Sequence, residues 1–298
     1  MFTIDYTPYK LLDWVNHYKN RVSESYFRRR PGFSFETLYE YDSFWDGLSS
    51  NPKAIHLLEK NLDKIDWSLL SRNPNGISLL QQNLHRVNWR DLSKNPNAID
   101  LLEKNPDKIH WDMLSKNKNA ISLLEQNPDK IVWNFLLANS EAVHLIEESL
   151  NMIHWDELSG NPNAIHLLEQ NLDKINWRSL SQNPNAIHLL EQNIDKRTWD
   201  WLSFNPNAIH LLEQNQDKIN WTWLSGNPNA IDLLEQNQDK IYWYLLSSNP
   251  SIFEIDYQVL RERIEPFKEE LMQKCFHPDR LIFYLKTYNY DIGEDEYT

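Results

Sequence analysis

The stretch Asn161-Pro162-Asn163-Ala164-Ile165-His166-Leu167-Leu168-Glu169-Gln170-Asn171, continued by Leu172-Asp173-Lys174-Ile175-Asn176-Trp177-Arg178-Ser179-Leu180-Ser181, decides the fold. Asn161 suits a helix N-cap, and Pro162 suits the first helical position, where its missing N–H costs nothing. Ala164, Ile165, Leu167 and Leu168 then make an apolar stripe at helical spacing. Asn171 is placed to end that helix, because Asn tolerates a left-handed C-cap. Proline follows the equivalent Asn at Asn105-Pro106 and Asn127-Pro128, which disfavours that conformation; there the Asn is expected to cap the next segment instead. Trp177 and Leu180, three apart, predict a second short helix behind a capping Asn176, and Asp66, Asn88, Thr198 and Asn220 hold the same place in other copies. Each unit should therefore be one α-helix of about nine residues plus a single-turn helix.

The unit recurs without insertion or deletion. Trp45, Trp67, Trp89, Trp111, Trp133, Trp155, Trp177, Trp199, Trp221 and Trp243 fall 22 residues apart. A fixed period of this size marks a solenoid, in which repeats pack on their neighbours because one alone buries too little apolar surface to offset its ordering entropy. A leucine-rich repeat has a similar period, but its L-x-L-x-x-N signature is missing: Ile109-His110-Trp111 is followed by no Asn until Asn117. The expected fold is all-α, a right-handed α-solenoid of 22-residue repeats over residues 45–250. Helical terminal caps are expected on its open ends: an N-terminal region at 1–44 and a C-terminal helical cap with an acidic tail at 251–298. Leu11-Leu12-Asp13-Trp14 reads as a decayed first unit. Ile252, Phe253, Ile255, Leu260, Ile264, Phe267, Leu271 and Phe276 form one apolar stripe of the C-terminal cap, and Leu281 to Leu285 another.

The 298 residues carry a net charge of −13, unevenly spread. Residues 1–44 balance six basic with six acidic side chains, whereas 251–298 hold six basic against eleven acidic. Nucleic-acid binders neutralise phosphates with clustered Lys and Arg, and Arg28-Arg29-Arg30 is the only basic run; nucleic acid is not an expected partner. No apolar run approaches the ~20 residues that cross a bilayer, so no membrane partner is expected. The first residues show neither part of a secretory signal, and the single cysteine, Cys275, permits no internal disulfide. An intracellular, reducing location is the expectation.

The unit N-P-N-A-I-H-L-L-E-x-N-x-D-K-I-x-W-x-x-L-S resembles a repeat found in proteins of giant DNA viruses of the mimivirus type. The resemblance covers about residues 45–250, and Asn183 to Ser203 follows it nearly letter for letter. Phe276-His277-Pro278-Asp279-Arg280-Leu281 and Tyr288-Asn289-Tyr290-Asp291 are similar to the C-terminal segment of those proteins. The resemblance implies a viral helical-repeat protein, in host cytoplasm, viral factory or virion, and supplies no catalytic residues. The pattern erodes in residues 133–154, where Leu137 replaces Ser, Ser140 replaces Pro and Asn151-Met152 replaces Asp-Lys; Arg197 stands where Ile is expected.

His56, His144, His166, His188 and His210 share one column and raise a metal reading. One repeat of rise, ~10 Å if helix diameter sets it, separates neighbours too widely for a shared ion held at ~2 Å. No metal or cofactor is expected. Glu169, Asp173 and Lys174 recur in most units, which fits a solvated face with local ion pairs better than one active site. Cys275 beside His277 and Asp279 reads as a buried structural thiol. The aromatics outside the Trp column are more informative. Two residues after the repeat Trp stand varied residues such as Leu69, Glu157 and Ser179, but Trp201 and Trp223 in late units and Phe135 in an earlier one. With Phe204 and Tyr244 close by, they form a candidate partner-binding patch if that column faces outward. Alternatively they seat the C-terminal cap. The function expected is a non-catalytic protein–protein interaction scaffold, monomeric or weakly self-associating; the alternatives are a self-assembling structural component and, least favoured, an enzyme.

Overall fold

The computed structural model describes residues 7–27, 35–147 and 154–268, with isolated positions between 273 and 287. Arg28–Arg30, Asn151, Met152, Cys275, Phe276, Asp279, Leu281, Leu285 and the acidic tail lie outside the described residues. The chain divides into two compact units, Leu11–Glu254 and Met1–Lys10 with Ile255–Thr298. The larger unit is an all-α solenoid built from the 22-residue repeat.

Each regular repeat holds three elements rather than the expected two. In the unit quoted above they are an α-helix at Ile165–Glu169, a 3₁₀ turn at Leu172–Lys174 and a second α-helix at Trp177–Ser181. The first helix begins at Ile, later than the Pro position suggested, because the Asn has a stronger claim on its own turn. Asn183 Oδ1 accepts the N–H of Asn185 and so holds Pro184–Ala186 in a separate 3₁₀ turn. Asn171 is not left-handed either, with φ −138° and ψ 49°. Its Nδ2 instead donates to Leu167 O, satisfying one carbonyl of the helix end. Asn105 and Asn127 do the same despite the prolines that follow them. The capping role before Trp holds for Asp66, Asn88, Asn176 and Asn220, whose side chains each accept an N–H three residues on. Thr198 departs from this: its hydroxyl pairs with Ser181 Oγ at 3.0 Å.

Three ladders join neighbouring repeats. The Asn that opens each turn is fully buried and spends its whole amide. Asn73 Nδ2 donates to Ser49 O and Asn51 O at 3.0 and 2.9 Å, while its Oδ1 accepts from Asn75 N–H at 3.0 Å. The Ser four residues after the Trp supplies the second ladder in all repeats but the one with Leu137: Ser71 Oγ donates to Trp67 O and accepts the N–H of Asn88 from the next repeat. The third is a cation over the face of most repeat Trp rings, such as Lys196 at 4.6 Å from the Trp177 ring and Lys174 at 4.8 Å from the Trp155 ring. Lys174 is thus an inter-repeat contact as well as a solvated charge. Between the helices, the Leu three residues after each Trp and the second Leu of the Ile helix, such as Leu180 and Leu168, are wholly buried.

The ladder has no free end. Asn51 opens the first turn, and its Nδ2 donates to Ser247 O at 3.0 Å and Asn249 O at 2.9 Å, the last repeat's counterparts of the carbonyls that Asn73 uses. The rungs at Asn51, Asn73, Asn95, Asn117, Asn139, Asn161, Asn183, Asn205, Asn227 and Asn249 therefore close into a ring of ten repeats. Helices α1 (Asp13–Phe27) and α2 (Phe35–Ser50) complete the closure. Leu12 N–H donates to Ile252 O, Tyr18 stacks on Trp243 with ring centres 3.3 Å apart, and Trp14 meets the same indole edge-on. Trp14 thus belongs to the long helix α1, and from that helix Tyr18 covers the ring of Trp243, as a cation covers several of the other Trp rings. The open ends expected of a solenoid meet each other instead.

Phe253, expected within an apolar helical stripe, lies in strand β2 (Phe253–Ile255), which pairs with β1 (Tyr9–Leu11) in a two-stranded sheet. In the smaller unit Asp256 N–H donates to Pro8 O, and Asp256 Oδ1 caps the helix Tyr257–Ile264 through the N–H groups of Gln258 and Val259.

Candidate partner-binding belt

Consecutive Trp helices pack directly on one another, except across the joint between Trp133–Leu136 and Trp155–Ser159, whereas consecutive Ile helices are further apart. In a closed ring the more closely spaced elements lie at the smaller radius, so the Trp helices form the inner wall. On each, Trp, the Leu three residues on and the Ser four residues on point into the protein, with that Leu and Ser buried. The first, second and fifth positions after Trp lie on the opposite face. These columns make a belt, joined by side-chain contacts from Arg72 to Phe135 and from Arg178 to Trp223.

The belt brings together three of the five sequence-selected aromatics. Trp201 and Trp223 stack with centroids 5.3 Å apart and planes 25° from parallel, and Phe204 meets Trp223 edge-on at 6.1 Å. Phe204 is 39 % exposed, a large apolar side chain left partly in water. Room for it comes from Gly226 in the next repeat, where an added Cβ would lie 3.1 Å from Phe204 Cε2. Arg178, which sequence reading passed over, lies over the Trp201 ring at 4.9 Å and flanks the cluster with charge. Tyr244 packs on Tyr242 instead, and its carbonyl faces Gly47 across the closure. Phe135 stands apart, three repeats earlier, beneath Lys116 at 4.6 Å.

A second group on the belt also escaped sequence reading. Arg72, Lys94 and Lys116 hold the fifth position in three successive repeats, where other repeats carry Ser50, Ala138, Gly160, Gln182, Phe204, Gly226 and Ser248. The signal was legible only by aligning the repeats column by column. Arg72 is paired with the largely buried Asp91 (2.6 Å), and Arg90 with Asp112 (2.6 Å). Lys94 has no such ion pair among the described residues. Its side chain is exposed, yet surrounding protein desolvates the ammonium and, with the charges of Lys116 and Arg72, holds it below the ordinary lysine value against the pull of Asp91.

The remaining columns are structural in their contacts. In the His column three side chains reach a glutamate of the preceding repeat: His188 Nε2 meets Glu169 at 2.8 Å, His210 meets Glu191 at 3.0 Å, and His144 meets Glu125 at 3.5 Å. His56 contacts Lys53 O and the edge of Phe253 near the closure. Among the described residues, no three His, Cys, Asp or Glu side chains gather as a metal ion would require, and no helix is long and apolar enough to cross a membrane.

Fold and belt together define a closed-ring helical-repeat protein. Comparison with family models, with curated proteins and with solved structures finds no match for this chain.

Proposed function

We propose that the ring is a non-catalytic scaffold that binds a protein partner through the aromatic cluster of its belt. One observation carries this reading: Trp201, Trp223 and Phe204 form a stacked, partly exposed surface on two adjacent repeats, with Gly226 leaving space beside it. Large aromatic anchors of this kind dominate binding energy at protein interfaces, whereas isolated surface apolar groups do not. On the resemblance of its repeat to those of giant DNA virus proteins, the scaffold would act in an infected cell, in host cytoplasm, viral factory or virion. The bare net charge of −13 argues against nucleic acid as its main partner.

Self-assembly into a structural lattice is the competing use. A chain whose first and last repeats bond to each other has no open solenoid end there for a second copy to extend, so assembly would have to use the faces of the ring. The test compares the native chain with Trp201→Ser, Trp223→Ser, checked as folded by circular dichroism. Each is used to capture partners from host lysate, and each is sedimented over a concentration series. A partner held by the native ring and lost by the variant supports the scaffold. Concentration-dependent growth of the native ring, with no partner, would replace it with the assembly role.

A further inference from the structure

The closure of the ring sets two unlike groups on the belt against each other. The Trp89 and Trp199 helices are five repeats apart in a ring of ten, hence diametrically opposed. The arc around the first carries Lys94 and Lys116; the arc around the second carries Trp201, Phe204 and Trp223. With helix axes ~9 Å apart, ten Trp helices give a radius of ~14 Å, and the helices themselves leave an opening of ~17 Å. An extended polypeptide at ~3.3 Å per residue crosses that opening in about five residues.

Resting on the scaffold reading above, we propose that the inner belt grips an extended acidic peptide segment, its carboxylates on Lys94 and Lys116 and a large apolar side chain on the Trp201–Trp223–Phe204 cluster. Charge complementarity selects this occupant. The two arginines of the basic arc are already neutralised by Asp91 and Asp112, so among the described residues the arc offers two ammonium groups with no carboxylate partner, that of Lys116 resting over the Phe135 ring. That number matches one or two carboxylates. A nucleic-acid strand, which would also use aromatic stacking, brings a phosphate per nucleotide and would meet Asp156, Glu157 and Asp200 elsewhere on the same belt. A peptide that is basic or neutral leaves the partly desolvated Lys94 without compensation.

The test is selection of random twelve-residue peptides displayed on phage against the full chain. Winners are then measured by fluorescence anisotropy against the native protein, Lys94→Gln/Lys116→Gln and Trp201→Ser/Trp223→Ser, each checked for folding. The expected winners carry Asp or Glu about five residues from Trp, Phe, Tyr or Leu. Their affinity should fall about tenfold in either double variant, with weaker binding in high salt for the native ring. Winners of neutral or basic composition, or affinity that ignores the lysine variant while the tryptophan variant abolishes it, would overturn this inference and leave the scaffold reading intact. Winners indifferent to both variants, or no winners, would remove both. A uridine oligonucleotide that binds more tightly than any peptide and depends on Lys94 and Lys116 would also overturn it, in favour of single-stranded nucleic acid.

Discussion

At the closure, where the helix Trp243–Ser248 meets α2, no peptide bond links the two repeats, yet Asn51 makes both of its cross-repeat hydrogen bonds and Tyr18 covers the exposed indole of Trp243. Between Trp133–Leu136 and Trp155–Ser159 the chain is continuous in sequence, but the joint is poorer. Asn161 still donates to Leu137 O and Asn139 O. Leu137, however, has no hydroxyl to offer the next repeat, and Met152 stands where other repeats place a cation near the preceding Trp. Residues 133–136 are also the shortest of the Trp helices among the described residues. Chain connectivity is therefore not what makes a joint: the number of ladders crossing it is, because each repeat depends on its neighbours for burial and hydrogen bonding.

The largest expected effect tests how tightly the closure is packed. A Cβ at Gly47 would run into Ser247 Oγ and Tyr244 O, whereas one at Gly160, which faces Ser179 and Gln182 of the following repeat, would make only ordinary contacts, the nearest at 3.5 Å. Gly47→Leu should cost about 3 kcal/mol or more in urea unfolding, and Gly160→Ala less than about 0.5 kcal/mol or a slight gain. Equal effects would mean that the closure is packed no more tightly than the continuous joint between the Trp155 and Trp177 repeats.

Next come the Asn rungs themselves. Asn51→Ala and Asn161→Ala each strip two buried carbonyls of a donor, at about 1–3 kcal/mol per unsatisfied group before relaxation. Asn51→Ala should be the more damaging by about 1 kcal/mol, because the surroundings of Asn161 have fewer ladders left to cooperate with it. The reverse order in equilibrium unfolding would break the comparison.

The eroded joint should also open more readily without any mutation. Backbone amides of Trp155–Ser159 are expected to exchange with deuterium about tenfold faster than those of Trp177–Ser181, a difference of about 1.4 kcal/mol in local opening. Equal protection would show that the Asn rung alone holds the joint.

The smallest effect sharpens the chemistry near the closure. Burial first, and the charge of Lys60 last, hold His56 below its ordinary value of 6.5, although its hydrogen bond to Lys53 O pulls the other way. A depressed histidine favours the neutral form in the fold, so its contribution is complete above about pH 6.5 and is lost as pH falls through the lower folded value. Native protein should therefore lose slightly more stability than His56→Gln between about pH 7.5 and about pH 5.5, read from denaturant midpoints. An identical loss in both would assign the pH dependence to other groups.

Much of a single repeat was legible in the sequence. Asn176 before Trp177 reads as a cap and acts as one, Leu168 and Leu180 read as core and are fully buried, and Trp201 and Trp223 stand out of column and stack. These depend on groups within one or two neighbouring units, which a 22-residue period lays out plainly. The helix lengths were read too long because Asn183 and its equivalents have two competing uses, capping a helix and folding a separate turn, and hydrogen bonds to the preceding repeat favour the second.

By itself, then, the sequence determined the repeat, its apolar columns, its capping residues and the few positions that break the pattern, since local spacing controls all of these. Only the tertiary structure decided that the array closes and that Asn51 bonds to Ser247 and Asn249, which puts the Trp89 and Trp199 repeats five places apart in a ring of ten. Closure follows from a turn of about 36° per repeat, a small rotation summed over ten interfaces. No single unit records that sum. It becomes visible only when the last repeat arrives beside the first.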